Sequence, residues 1–260
     1  MLAAARAIDR SGFHWWRADG NTADSAGGDT ATLEGATYSA GKFGQAFSFD
    51  GTDDSVSLET SNLIGSGQDP FTIAMWVYPT ETPSGWFYIL AGLQQDSQVI
   101  LDVSNNFHGS SGDYIGMEFR GDTQWWVPLP HALLNNWTQI VAVYNGGDKN
   151  SASSFEYYLY GVQLSGTPFN GGPTGGSSND NVLGEAGGGF FAGLMDEVQI
   201  YNRALSGTEV QALVTDPPAT SLLAQAMASF GTNGAGNLAI GIVSPLSQTG
   251  MVTNLVLPGH

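Results

Sequence analysis

From Phe13 to Tyr201 the chain alternates short apolar runs with polar punctuation. The runs are rich in β-branched and aromatic residues, and Gly, Asn, Asp and Ser separate them, which is the pattern of short strands joined by turns. The clearest are Ala46–Phe49, Ser55–Leu58, Phe71–Tyr78, Phe87–Leu90, Val99–Val103, Tyr114–Phe119, Gln124–Val127, Trp137–Tyr144, Phe155–Leu164 and Gly193–Tyr201. About ten strands without interleaved helices predict two packed antiparallel sheets rather than a βαβ fold. In Phe71–Tyr78, one parity holds Phe71, Ile73, Met75 and Val77; the other holds Thr72, Ala74, Trp76 and Tyr78. A strand covered on both faces reads this way, so it belongs in the middle of a sheet.

One helix is expected, after Leu205. Ser206-Gly207-Thr208-Glu209 has the spacing of a capping box and leads into Val210, Leu213 and Val214 before Asp216-Pro217-Pro218 stops it. Residues 165–189 are rich in Gly, Ser and Asn and read as a long loop with one short strand near Val182–Leu183. Asp50-Gly51-Thr52-Asp53-Asp54 reads as a hairpin turn. A second cation on Asp53 or Asp54 is the alternative there.

The organisation is an N-terminal arm (1–12), a β-sandwich (13–216) and a tail (217–260). The tail's 44 residues contain no Lys, Arg, Asp or Glu and carry many large apolar side chains. Such a segment is expected to pack, either on its own sandwich or into a neighbouring subunit.

Composition narrows the partners. Seven Lys and Arg against 24 Asp and Glu give a formal charge of −17. A phosphate backbone would be repelled, which argues against nucleic acid. Charged residues make up only 12% of the chain, so Gly, Ser, Thr and Asn must cover much of the surface. With no cysteine, disulfides and thiolate zinc sites are excluded. Leu2-Ala3-Ala4-Ala5 is too short for the apolar core of a signal peptide, so a removed leader or export by another route is expected. No apolar stretch is long enough to insert in a membrane.

Candidate chemistry comes from carboxylates and aromatic pairs. Asp196 shares parity with Val198 and Ile200, so it is expected to start on the core-facing side, where a carboxylate needs a partner. With so few basic residues, a hard cation is one such partner, and the loop from Asp24 to Asp29 offers further oxygens. Hydrogen bonds from turn amides are the alternative. Trp15-Trp16, Trp86-Phe87-Tyr88 and Trp125-Trp126 offer rings that can stack on the C–H faces of sugars; Trp86, Tyr88, Trp125 and Trp126 are the candidate ligand contacts. Trp76 and Trp137 read as core. Catalysis finds little support, since the Glu-x-Asp-x-(x)-Glu spacing by which laminarinase-type enzymes set two carboxylates on one inward strand does not occur. Glu197, next to Asp196, is expected on the opposite face, and the four histidines are scattered.

Six segments in order carry a family resemblance: Ala23–Gly28 (ADSAGG), Gly41–Asp54 (GKFGQAFSFDGTDD), Phe71–Pro79 (FTIAMWVYP), Asn136–Tyr144 (NWTQIVAVY), Tyr158–Val162 (YLYGV) and Phe191–Ser206 (FAGLMDEVQIYNRALS). Together they resemble the bacterial and viral laminin G-like domain of the concanavalin A-like lectin and glucanase superfamily, over roughly residues 13–215. The resemblance implies an all-β jelly roll and a structural calcium ion tying the N-terminal loop to the last strand through Asp24, Asp29 and Asp196. Gly28-Asp29-Thr30 departs from the family's usual Asn and Gly, which puts Asp29 in question. The implied function is a non-catalytic, lectin-like adhesion module that binds glycan at an extracellular, cell or virion surface. The competing expectation is a virion decoration or assembly protein whose arm and tail dock into neighbouring subunits.

Overall fold

A computed structural model describes residues 12–59, 63–65, 69–82, 87–93, 99–105, 112–119, 123–166, 169–171, 181–186 and 189–215. The chain divides into two units, Met1–Val214 and Thr215–His260. Arm and tail lie outside the described residues, so the expectations about their packing do too.

In chain order the strands are β1 (Phe13–Trp16), β2 (Ala31–Glu34), β3 (Thr37–Ala40), β4 (Gln45–Asp50), β5 (Ser55–Leu58), β6 (Phe71–Pro79), β7 (Phe87–Leu93), β8 (Val99–Asn105) and β9 (Asp113–Phe119). They continue as β10 (Thr123–Pro128), β11 (Thr138–Tyr144), β12 (Phe155–Leu159), β13 (Val162–Gln163), β14 (Phe169–Asn170), β15 (Val182–Leu183), β16 (Glu185–Ala186), β17 (Gly189–Phe190) and β18 (Ala192–Tyr201), followed by α1 (Gly207–Thr215). The first sheet has the order β13-β12-β11-β6-β18-β4-β3, with β1 also on β18. The second runs β14-β10-β9-β8-β7-β15-β5-β2, and β16 and β17 form a small hairpin. All named strand pairings are antiparallel. The expected two-sheet sandwich is therefore the fold, and β6 is central, between β11 and β18.

The inner faces of both sheets form one core. Phe71, Phe119, Tyr144 and Phe155 meet ring to ring inside it. Tyr157 crosses the layer: its hydroxyl donates to the Trp125 carbonyl at 2.6 Å and accepts the Met117 N–H at 3.0 Å. A buried phenol without partners would be unfavourable, so these bonds fix the spacing of the sheets.

A second cluster lies on the outer face of the first sheet. Phe13, Trp15, Ala74, Tyr158 and Tyr201 are covered there by Val210 and Leu213 of the helix. The capping box is present: Ser206 N–H donates to Glu209 Oε2 at 2.9 Å, and Glu209 N–H to Ser206 Oγ at 3.4 Å. Thr72 ties the approach to the helix, donating to the Arg203 carbonyl and accepting the Leu205 N–H.

Four sequence readings change, one of them being that residues 165–189, read as a loop with a single short strand, also hold β14 and β16. Phe155–Leu164 is not one strand, because Tyr160 and Gly161 adopt φ of 50° and 75° and fold it into the β12–β13 hairpin. Positive φ at both central residues suits a tight hairpin turn. Asp50–Asp54 is a turn, with Gly51 at φ 81°, yet it joins no hairpin: β4 belongs to the first sheet and β5 to the second. Asp54 Oδ2 accepts the Asp50 N–H at 2.8 Å and shapes this corner. The strands β1, β2 and β3 were not anticipated.

Candidate functional site

The helix covers only part of the first sheet's outer face. Along β6, Thr72 and Ala74 lie at the covered end, whereas Trp76 and Tyr78 continue the same parity beyond it. Trp137 stands beside Tyr78, with ring centroids 5.5 Å apart. Phe43 meets Trp76 edge-on at 5.8 Å and 83°, and Tyr160 meets it from another side at 5.8 Å. Lys42 places its Nζ 4.6 Å from the centre of the Trp76 ring. Phe43, Tyr78 and Trp137 are half-buried, and Tyr160 is 38% exposed. The Tyr160 hydroxyl donates to the Trp137 carbonyl at 2.6 Å, fixing one end of the group. Five rings thus form one patch, in which four partly exposed rings surround the buried Trp76.

The reading as core holds for the burial of Trp76 and is corrected for Trp137. Trp76 is buried against its neighbours but on the outer side, and Trp137 is half-buried. The parity of Trp76 and Tyr78 along β6 was legible. That the helix stops short of them was not.

Asp196 lies under this patch, opposite Trp76 in the β18–β6 register. Its expected core-facing position is corrected, because the register shifts between Asp196 and Gln199. Glu197 adopts φ 53° there, an extra residue that reverses the alternation. Met195, Val198 and Ile200 therefore enter the core, while Asp196 turns outward with Leu194. The bulge also overturns the expectation for Glu197. Its Oε2 accepts the Trp15 Nε1–H at 2.6 Å, which places both neighbouring carboxyl groups on the outer side.

Both groups are closed to solvent, Asp196 at 0% and Glu197 at 3%. Burial pushes Asp196 up to about 7, against a hydrogen bond from the Phe43 N–H at 2.8 Å. Burial, and then the charge of Asp196, pushes Glu197 up to about 8. Arg17 offsets little of this, since its Nε is 3.8 Å from Glu197 Oε1 and its Nη2 is engaged by Asp19 at 2.9 Å.

The loop after β1 holds the other expected metal ligands. Atoms of His14, Asp24 and Asp29 lie within 4.8 Å of one another; a second such group is Asp50, Asp53 and Asp54. Asp196 belongs to neither and is occupied by the amide of Phe43. Asp24 Oδ1 accepts the N–H groups of Trp15 and Ala26, both at 2.8 Å, and its Oδ2 lies 2.7 Å from His14 Nδ1. These hydrogen bonds outweigh burial, so Asp24 is held below the usual range. The oxygens that fit a hard cation here are those of Asp24 and Asp29. The nitrogen of His14 does not suit calcium, and Asp196 is not grouped with these atoms among the described residues.

The expected ligand aromatics fare unevenly. Trp125 and Trp126 alternate as anticipated: Trp125 packs against the core and bonds the Lys149 carbonyl at 2.8 Å, while Trp126 takes the second sheet's outer face. There it lies against Gly116, where no side chain would fit, and it is fully buried. Trp86 lies outside the described residues, as does the side chain of Tyr88.

One carboxyl pair escaped the sequence reading altogether. Asp102 of β8 and Glu118 of β9 are both buried, and burial followed by Glu118 holds Asp102 well above the carboxylate range. The β8–β9 register pairs Ile100 with Glu118 and Asp102 with Gly116. No spacing within one strand could have revealed them.

A two-sheet jelly roll with this element order defines a class of β-sandwich rather than an activity. The sequence model of the concanavalin A-like lectin/glucanases superfamily matches residues 50–211, and the chain belongs to that family. No curated protein sequence matches the chain.

Solved structures share the fold. Domain 4 of AbnA, an extracellular arabinanase of Geobacillus stearothermophilus, solved in complex with arabinotriose, is 22% identical; the match covers 77% of this chain and 97% of that one, with a TM-score of 0.53. The binding domain of botulinum neurotoxin serotype G is 16% identical, covering 84% of this chain and 52% of that one, with a TM-score of 0.52. The sialidase of Trypanosoma rangeli is 15% identical over 82% of this chain and 35% of its own, with a TM-score of 0.53. The chain thus spans nearly all of the arabinanase domain but only about half or a third of the other two. Among the described residues, no helix is long and apolar enough to cross a membrane.

Proposed function

We propose that this protein is a non-catalytic carbohydrate-binding module that holds a glycan against the open half of its first sheet's outer face. The observation that carries the reading is the patch in which Phe43, Tyr78, Trp137 and Tyr160, all at least partly exposed, gather around the buried Trp76. Aromatic planes of this kind stack on the C–H faces of pyranose and furanose rings, and Lys42 and the tyrosine hydroxyls supply polar contacts at the edges. A chain of −17 repels polyanions, which favours neutral polysaccharides. Membership of a lectin and glucanase family, and a structural neighbour solved with arabinotriose, support the same class of ligand.

The non-catalytic part of the reading rests on access. The two carboxyl pairs, Asp196 with Glu197 and Asp102 with Glu118, are all at or below 5% exposed, so a glycosidic bond does not reach them. An extracellular or surface location suits the ligand. Calcium belongs to the proposal as a brace of the N-terminal loop, held by Asp24 and Asp29.

Affinity electrophoresis in gels containing arabinan, xylan, mixed-linkage β-glucan or galactomannan tests the reading. The protein is expected to be retarded by at least one of them, and Trp137→Ala to migrate freely there. A Trp137→Ala variant retarded as strongly as the native protein in every gel would sink the assignment of the site.

A further inference from the structure

The β3–β4 turn carries Phe43 of the aromatic patch and Lys42 beside it, and its position is not set by the turn itself. Its own bond runs from the Gly41 N–H to the Gly44 carbonyl at 3.1 Å, which leaves the Phe43 N–H without an acceptor inside the turn. Asp196 supplies one from β18: its Oδ2 accepts that N–H at 2.8 Å. A methyl group on Gly41 would lie 2.7 Å from the same oxygen, so the turn sits directly on the carboxyl group. Asp19 holds the far end, accepting the Gln45 N–H at 3.1 Å and lying against Gly44. Two carboxyl groups from two distant parts of the chain thus pin one short turn.

We infer that Asp196 is a positioning residue for the glycan surface: by holding the Phe43 amide it sets Phe43 and Lys42 against Trp76 and completes one end of the patch. The inference rests on the carbohydrate-binding reading. Asp196 itself is fully buried and touches no ligand, so it acts only through the turn. Its other oxygen, Oδ1, has no hydrogen-bond partner among the described residues. Leaving a polar atom unpaired inside a fold is unfavourable, and an apolar side chain would fill the same space at lower cost. What an apolar residue cannot do is accept the Phe43 N–H. Without that bond, the edge-on contact of Phe43 and the position of Lys42 4.6 Å from the Trp76 ring are left to Asp19 at the far end of the turn.

The experiment compares the native protein with Asp196→Leu, Asp196→Ala, Asp196→Asn, Gly41→Ala and Trp137→Ala in the same polysaccharide gels, with hydrogen exchange of the Phe43 amide measured alongside. Asparagine keeps a carbonyl oxygen for the Phe43 N–H, so Asp196→Asn should bind within about two-fold of native and keep the amide protected. Asp196→Leu should lose about five-fold or more in affinity, the effect of one lost hydrogen bond on a recognition surface, and expose the amide. Gly41→Ala, whose methyl group would meet both the Asp196 oxygen and, at 2.6 Å, the Gln45 backbone, should lose as much, and Asp196→Ala decides the matter if the leucine variant does not fold. If Trp137→Ala abolishes binding while Asp196→Leu and Gly41→Ala bind as native, the inference is overturned and the platform stands. Equal losses in the Asn and Leu variants overturn it as well, since the hydrogen bond is then not what matters. If Trp137→Ala has no effect, the carbohydrate reading fails, and the inference with it.

Discussion

Glu197 offers a sharp test of how the outer face is built. Its carboxyl group is 3% exposed, and its pKa rises from 4.5 to about 8, first through burial and then through the charge of Asp196. The folded chain therefore keeps a proton that the unfolded chain releases between these values. A state that binds more protons is favoured at low pH, so this contribution to stability falls as pH rises from about 4.5 to 8 and is level above that. At about 1.4 kcal/mol per pH unit the whole effect is at most ~5 kcal/mol, and water entry and approach of Arg17 reduce it to ~2–3.

The perturbation is Glu197→Gln, which is neutral at every pH and can still accept the Trp15 Nε1–H. Guanidinium unfolding of both proteins, followed by tryptophan fluorescence at several pH values, gives the difference in stability directly. Asp196 and Asp102 also titrate upward, but much of their contribution is common to both proteins and cancels in the difference. The variant's advantage is expected to grow by about 2 kcal/mol between pH ~5.5 and ~9. A difference that stays constant across this range would mean that Glu197 is ionised in the fold and held by Arg17, and the burial argument would be wrong.

Three further outcomes follow from other parts of the structure. Gly116→Val should destabilise the fold by about 1–3 kcal/mol or more, read from the denaturant midpoint, because the new side chain meets the buried Trp126 ring; a neutral result would show that Trp126 can move aside. Ser206→Ala removes the hydroxyl that caps α1 and should cost about 1 kcal/mol, measured by thermal unfolding, with less change if Arg203 alone holds Glu209. Calcium at millimolar concentration should raise the melting temperature over a chelator control and lose that effect in Asp24→Asn with Asp29→Asn; no shift in the native protein removes calcium from the proposal.

Much of the fold was legible because strand burial leaves a local trace. Ser55–Leu58 and Val182–Leu183 have the bounds expected of them, and Phe71–Tyr78 lacks only Pro79. The capping box of Ser206 and Glu209 was readable for the same reason: its partners are three residues apart. Sheet membership was another matter. Asp-Gly marks a turn in Asp50–Asp54, but whether the following strand pairs back or crosses to the other sheet depends on partners far away: β18 for β4, and β2 and β15 for β5.

The site was harder to read, and Asp196 and Glu197 show why. Alternation assigns faces only while the strand is regular, and one residue at φ 53° breaks the parity between Asp196 on one side of it and Val198 and Ile200 on the other. Nothing in Leu194-Met195-Asp196-Glu197-Val198 announces a bulge, since Glu is neither Gly nor Asn, the residues that take this conformation most easily. Yet the bulge aims a buried carboxyl group at the Phe43 amide while keeping Val198 and Ile200 in the core. A regular β18 could not do both: with Val198 and Ile200 inward, alternation would turn Asp196 inward as well. The strained residue and the unpaired oxygen thus have one explanation, the support of the turn that carries Phe43 and Lys42, which edges the surface proposed above to hold the glycan.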